Sequence, residues 1–121
     1  MTTTGRTIKI QVKDIPGFDK AKLLEIDGIL DTLTSEEADK IISPMIEKEK
    51  IIVADCNRLE YMNSSGLANL MRYYIQMKRR NGEFKMVGLN KMLKEIVDIS
   101  GALKLLEIHN TLDEALKAIK K

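Results

Sequence analysis

The sequence is poor in the residues from which most reactive sites are built. It has one cysteine, Cys56, one histidine, His109, no tryptophan, and only 4% aromatic residues. A single cysteine excludes an internal disulfide and suits a reducing compartment. One histidine with no cysteine at ligand spacing does not make a zinc site, so His109 reads as a structural or surface residue. With so few aromatic faces, a platform for stacking nucleic-acid bases is not expected. Lys and Arg number 20 against 18 Asp and Glu, a net charge of +2. Such a balance points neither to nucleic acid nor to an acidic membrane. No apolar run approaches the ~20 residues of a membrane helix. Met1-Thr2-Thr3-Thr4-Gly5-Arg6 lacks the apolar segment of a secretory signal. The expectation is a cytoplasmic protein with no membrane insertion and no direct nucleic-acid contact.

Catalytic motifs are missing as well. There is no Gly-x-Ser-x-Gly elbow and no Gly-x-x-x-x-Gly-Lys phosphate loop. Cys56 ends an apolar run and reads as a small core residue rather than a reactive thiol. Asp27, Asp31 and Asp55 are placed where carboxylates could gather, but no spacing demands a metal. The reading is therefore of a protein that is not an enzyme, with no catalytic or metal-binding residues and no cofactor.

The chain does contain a core and a regular alternation of elements. Its 121 residues suit one domain spanning 1–121, with 44% hydrophobic residues to fill it and 31% charged residues to cover it. Residues 1–5 read as a loose end. Thr7–Lys13 alternates polar and apolar residues, which predicts an edge strand with Ile8, Ile10 and Val12 facing inward. The Pro16-Gly17 turn leads to a second strand over Ala21–Ile26, paired antiparallel to the first. Gly28–Leu33 is read as a loop. Thr34 and Glu37 form a capping-box pattern, and the helix they open has Ala38, Ile41, Ile42, Met45 and Ile46 on one side. Pro44 predicts a kink or break near Ser43. Ile51–Asp55 is apolar on both faces, like a parallel strand covered by helices. A helix to about Arg80 follows, with Leu67, Leu70, Met71, Tyr74 and Ile75 as its apolar stripe and Asn81-Gly82 as its stop. Then come a strand over Phe84–Gly88, a short helix capped by Asn90, a strand over Leu105–His109, and a last helix opened by Thr111 and Glu114. Strands that alternate with helices imply parallel pairing and right-handed crossovers. The fold class is α/β: one mixed, mostly parallel sheet of about five strands with about four helices.

The stretch around which this order is arranged is Tyr61-Met62-Asn63-Ser64-Ser65-Gly66-Leu67, between the Ile51 strand and its helix. The first amides of a helix have no intrahelical partner, and Asn63, Ser64 and Ser65 are all able to cap them. The same amides and the helix dipole favour an anion. Two readings compete: a capped turn with no further role, or a serine placed to carry a phosphate. The Gly28–Asp31 stretch also follows a strand. If the two strands are parallel, both stretches lie on one edge of the sheet.

The run Asn63-Ser64-Ser65-Gly66-Leu67 resembles the signature of STAS domains, in particular the bacterial anti-sigma factor antagonists, where Asp or Asn precedes Ser, then Ser or Thr, then Gly-Leu. Gly28-Ile29-Leu30-Asp31 resembles the Gly-x-x-Asp that precedes the first helix of that family. The resemblance covers nearly the whole chain and implies the α/β arrangement read above. It also implies a non-catalytic signalling protein that works by partner switching. A serine protein kinase that also serves as the anti-sigma factor would phosphorylate Ser64, and a phosphatase would reverse it. Asn63, Ser65 and Gly66 would shape the loop. Asp31 would orient it or touch the partner. Leu67 and the exposed side of its helix would supply contact surface. Many antagonists have Asp where this chain has Asn63, so the loop loses a charge that could interact with the kinase's metal-bound nucleotide. That departure keeps two alternatives open. One is a STAS adaptor that is never phosphorylated, within a larger signalling or lipid-transport assembly. The other is a small-ligand or nucleotide-binding domain with its anion site at the start of the helix.

Overall fold

A computed structural model describes residues 7–119; the expected loose end at residues 1–5 lies outside them. The chain forms β1 (Ile8–Asp14), β2 (Ala21–Leu30), α1 (Thr32–Lys48), β3 (Ile51–Met62), α2 (Ser64–Arg79), β4 (Glu83–Val87), α3 (Lys91–Ile99), a 3-10 turn (Ala102–Lys104), β5 (Glu107–His109) and α4 (Leu112–Lys117). The strands lie side by side in chain order. β1 and β2 pair antiparallel and all later neighbours pair parallel. This is the mixed, mostly parallel α/β sheet expected from the order of elements.

Alternation along the strands splits the core in two. Leu24, Ile26, Ile52, Ala54, Phe84 and Met86 pack with Ala38, Ile42 and Ile46 of α1 and Leu70, Tyr73 and Met77 of α2. The residues between them, Leu23, Val53 and Val87, join Ile15, Ala21 and Ala115 of α4 in a smaller cluster. Both faces of β3 are thus covered, as its apolar run implied. Lys85 is 2% exposed. Its ammonium lies 2.9 Å from Glu107 and 3.3 Å from Glu83, which compensates its buried charge.

Several boundaries differ from the sequence reading. β3 does not stop at Asp55 but runs to Met62, because two register shifts against β2 re-phase it. Inward residues step from Ile52, Ala54 and Cys56 to Leu59 and then Met62, so a strict period of two breaks down there. Gly28 and Ile29 belong to β2 and not to a loop. Gly28 has φ +111, and a side chain there would come within 2.3 Å of the Thr7 carbonyl oxygen. Only glycine lets β1 pass this close. α1 opens three residues earlier than expected because Asp31, not Thr34, caps it. The Asp31 carboxylate accepts from the amides of Leu33 and Thr34, both at 3.0 Å, and the Thr34 hydroxyl accepts from the Asp31 amide at 2.8 Å. The capping box is Asp31–Thr34, not Thr34–Glu37.

α1 passes through Pro44 without a break. Pro44 sits on the exposed side, where the carbonyl that loses its amide partner can face solvent. Val12, Ile41 and Ile75, expected to face the core, are 44%, 37% and 39% exposed. Among the described residues, no helix is long and apolar enough to cross a membrane.

Candidate functional site

Leu30 and Met62 are register partners at the ends of parallel strands. α1 and α2 therefore begin side by side on one edge of the sheet, as the strand order predicted. The junction is tied directly: the Asn63 amide donates to the Leu30 carbonyl at 3.1 Å. Asn63 is the N-cap of α2, and its Oδ1 accepts from the Gly66 amide at 3.0 Å. Gly66 is buried. A Cβ on it would lie 2.4 Å from the Leu30 carbonyl oxygen, so this position needs glycine for space.

Ser64 and Ser65 are the first two residues of α2, and both are exposed. Their hydroxyls are not equivalent. Ser65 Oγ accepts from Thr32 Oγ1 at 3.1 Å. Thr32 Oγ1 in turn accepts from Asn63 Nδ2 at 3.4 Å. The Ser64 hydroxyl has no hydrogen-bond partner among the described residues. Next to it lies an open depression of about 300 Å³ lined by Ile29, Asp31, Thr32, Tyr61 and Asn63. Tyr61, one of its walls, is 42% exposed.

The remaining expected site residues have other roles. Asp31 is 5% exposed and its carboxylate is taken up in the α1 cap. It holds the start of α1, of which Thr32 is the first residue. Leu67 is 4% exposed and packs in the main core. Leu67 shares a face with buried Leu70, three residues on, and that face is the inner one. Gly66 shapes the turn from inside. Thr32 was missed by motif reading; its signal was its place just after Gly-x-x-Asp, on the edge shared with Asn63.

The two helix starts are fixed relative to each other by a polar clamp one to two turns further along. Asp39 Oδ1 of α1 accepts from Arg72 at 2.8 Å, from the Tyr73 hydroxyl at 2.7 Å and from Ser43 at 3.1 Å. The Arg72 guanidinium, then the Tyr73 hydroxyl, hold the Asp39 carboxyl below its ordinary range. Burial and the Asp39 carboxylate push the Tyr73 phenol up. Neither helix has an acidic residue in its first turn. The Asp31 carboxylate already meets the first amides of α1, so the positive dipole end left without an acidic side chain is that of α2, at Ser64.

The other reactive groups lie elsewhere. Cys56 is fully buried, and desolvation, then the Asp55 charge, push its thiol up to about 12. His109 is half-buried in β5. No three metal-ligating side chains cluster among the described residues.

The fold and this edge define a small α/β domain with a mixed sheet, which exposes a helix start bearing hydroxyls. The family model for the STAS domain matches residues 9–115; the chain belongs to the STAS domain family. A putative anti-sigma factor antagonist, BtrV of Bordetella bronchiseptica, is 26% identical over 96 residues, covering 78% of this chain and 83% of that protein. An anti-sigma factor antagonist from Mycobacterium paratuberculosis has the same fold, with a TM-score of 0.85 at 21% identity over 99% of this chain and 100% of that one. So does the anti-sigma factor antagonist SpoIIAA of Bacillus. Its unphosphorylated structure has a TM-score of 0.74 at 19% identity and its phosphorylated structure 0.70 at 18%, each over 93% of this chain and 100% of that one.

Proposed function

We propose that this protein is an anti-sigma factor antagonist that works by partner switching, with Ser64 as its phosphoacceptor. The observation that carries the reading is the exposed Ser64 hydroxyl, unengaged at the start of α2 while its neighbour Ser65 is bonded to Thr32. The names of the relatives support the general role. SpoIIAA, solved with and without phosphate, is a neighbour of the same fold.

The partner is a serine protein kinase that also holds a sigma factor. In the transfer, Ser64 Oγ attacks the γ-phosphorus of ATP. The Oγ–P bond forms, the bond from phosphorus to the β-phosphate oxygen breaks, ADP leaves, and the hydroxyl proton passes to the kinase's base. A phosphatase hydrolyses the ester and restores Ser64. The product carries close to two negative charges. Their hydration must be given up if a partner covers the depression walled by Ile29 and Tyr61. A hundredfold loss of partner affinity needs only about 2.7 kcal/mol, well within the cost of burying an unpaired dianion. The fold itself is spared, because a negative charge at the first residue of a helix is favoured by about 0.5 kcal/mol.

Asn63 favours a second reading, a STAS adaptor that is never phosphorylated, inside a larger signalling or lipid-transport assembly. Intact-mass spectrometry after incubation with magnesium–ATP and lysate of the source cells separates the two. One added phosphate on the wild type and none on Ser64→Ala is the expected result. No phosphate on either, with a control substrate labelled, leaves the adaptor. Ser64→Asp is expected to fold normally and to bind the kinase more weakly than Ser64→Ala.

A further inference from the structure

We propose that Asn63 and Thr32 form a hydrogen-bond relay that occupies the Ser65 hydroxyl and reserves phosphoryl transfer for Ser64. The proposal rests on the reading of Ser64 as phosphoacceptor. Two adjacent exposed serines pose a selection problem for any kinase, and the structure contains an asymmetry that answers it.

The direction of the relay is set at its far end. Asn63 Oδ1 accepts from the Gly66 amide at 3.0 Å. With its oxygen so engaged, the Asn63 side chain has only N–H left to offer Thr32, and Nδ2 lies 3.4 Å from Thr32 Oγ1. Thr32 is thus an acceptor toward Asn63, and its own proton points to Ser65 Oγ at 3.1 Å. A lone pair of Ser65 is occupied and its rotamer is tied to α1. Ser65 Oγ keeps a second lone pair, but turning it onto the γ-phosphorus of ATP, with Oγ–P forming as ADP leaves and the hydroxyl proton passing to the kinase's base, needs a change of that rotamer. The Thr32 contact must break first. Ser64 has no such contact to break.

The relay also gives Asn63 a role that an aspartate would not fill. A carboxylate at this position could still cap Gly66, but it has no N–H for Thr32. The Thr32 proton would turn to the carboxylate and leave Ser65 free. Asn63 in this chain is therefore a positioning residue for acceptor choice, acting through Thr32.

The test is site mapping by tandem mass spectrometry after incubation with magnesium–ATP and source-cell lysate. Wild type, Thr32→Val, Thr32→Ser and Asn63→Asp are compared. Thr32→Val and Asn63→Asp are expected to raise the ratio of phosphoserine 65 to phosphoserine 64 about fivefold, the size of one hydrogen bond's net effect. Thr32→Ser, which keeps the hydroxyl, is expected to match the wild type. An unchanged ratio in Thr32→Val overturns the relay while leaving Ser64 as acceptor. No phosphate on any variant, with a control substrate labelled, overturns the Ser64 reading and acceptor selection with it. A second measurement needs no kinase. In urea unfolding, the cycle of Thr32→Val, Ser65→Ala and the double variant is expected to show about fivefold coupling in the unfolding constant. Strict additivity overturns the hydrogen bond on which the relay depends.

Discussion

Gly66→Ala isolates the contact that joins the ends of β2 and β3 to the start of α2, and two effects of opposite sign compete in it. Replacing glycine by alanine inside a helix normally stabilises by about 1 kcal/mol. Here the new methyl carbon would lie 2.4 Å from the Leu30 carbonyl oxygen and 2.9 Å from Leu30 Cγ. The carbonyl cannot simply retreat, because it accepts from the Asn63 amide at 3.1 Å. Overpacking a site of this kind costs about 1–3 kcal/mol, and loosening the Asn63 bond adds about 1 kcal/mol. The clash outweighs the propensity, and the expected net loss is about 2 kcal/mol. At a urea slope of ~1.5 kcal/mol per molar, the unfolding midpoint falls by about 1 M. Ala68→Gly, at an exposed position of the same helix, calibrates the propensity and should lose about 1 kcal/mol. A Gly66→Ala protein as stable as the wild type, with Ala68→Gly behaving as stated, would refute the close approach of β2 to α2.

Three further outcomes follow from the same packing. Leu67→Ala should cost about 3 kcal/mol in urea unfolding, because Leu67 is core; a change below about 0.5 kcal/mol, typical of surface positions, would return it to the surface. Asp39→Asn should cost about 1 kcal/mol at pH 7, by weakening the clamp between α1 and α2. Because Asp39's carboxyl is depressed in the folded state by Arg72 and Tyr73, its contribution is complete above the ordinary carboxylate pKa and is lost as pH falls through the lower folded value. The gap between wild type and Asp39→Asn should therefore close below about pH 4, read from urea midpoints at pH 7, 5 and 3; a gap that widens in acid contradicts the clamp. Cys56, buried with its thiol pushed up to about 12, should react with an aromatic disulfide at pH 8 at least about a thousandfold more slowly in the native protein than in urea. Rapid native labelling would mean the sheet opens locally at Cys56.

Element order and type were legible because each rests on a local signal. Alternating runs marked the strands, and Asn90, Thr111 and Asn81-Gly82 marked helix ends. The capping interactions observed at Asn90 and Thr111 are those the residue types predict, and Asn81 takes the left-handed conformation at φ 62 that its place as a stop requires. What failed depended on contacts distant in sequence. The polar run Asn57–Glu60 looked like a connection, yet it is strand, because β2 pairs alongside it and two bulges flip its inward parity. Pro44 looked like a break; which side of a helix faces solvent is decided by the sheet beneath it. Tyr73 lay outside the stripe read from Leu67, Leu70, Met71, Tyr74 and Ile75, yet Asp39 satisfies its hydroxyl and lets the ring sink to 1% exposure. In the candidate site, motif reading found Asn63, Ser64 and Ser65 but missed Thr32, whose one signal was the edge shared by the parallel strands.

This division has a consequence for the proposed switch. The motif residues fall into an inner set and an outer set. Asp31, Gly66 and Leu67 are buried and hold the two helix starts against the sheet; Ser64 stands outside, bonded to nothing among the described residues. A phosphate there breaks no contact that the fold uses, and it arrives at the start of α2, where the helix dipole favours negative charge. The free energy of modification is then not spent on deforming the domain. It enters the equilibrium with a partner almost whole, as the cost of covering a dianion beside the depression that Tyr61 lines. Had the acceptor been Ser65, the phosphate would have had to displace the Thr32 bond and act on the α1–α2 junction too, mixing a change of shape into a change of charge. An unengaged Ser64 beside an occupied Ser65 keeps the two apart, which is why their hydrogen-bonding asymmetry, more than the presence of serines at a helix start, supports reading this edge as a switch.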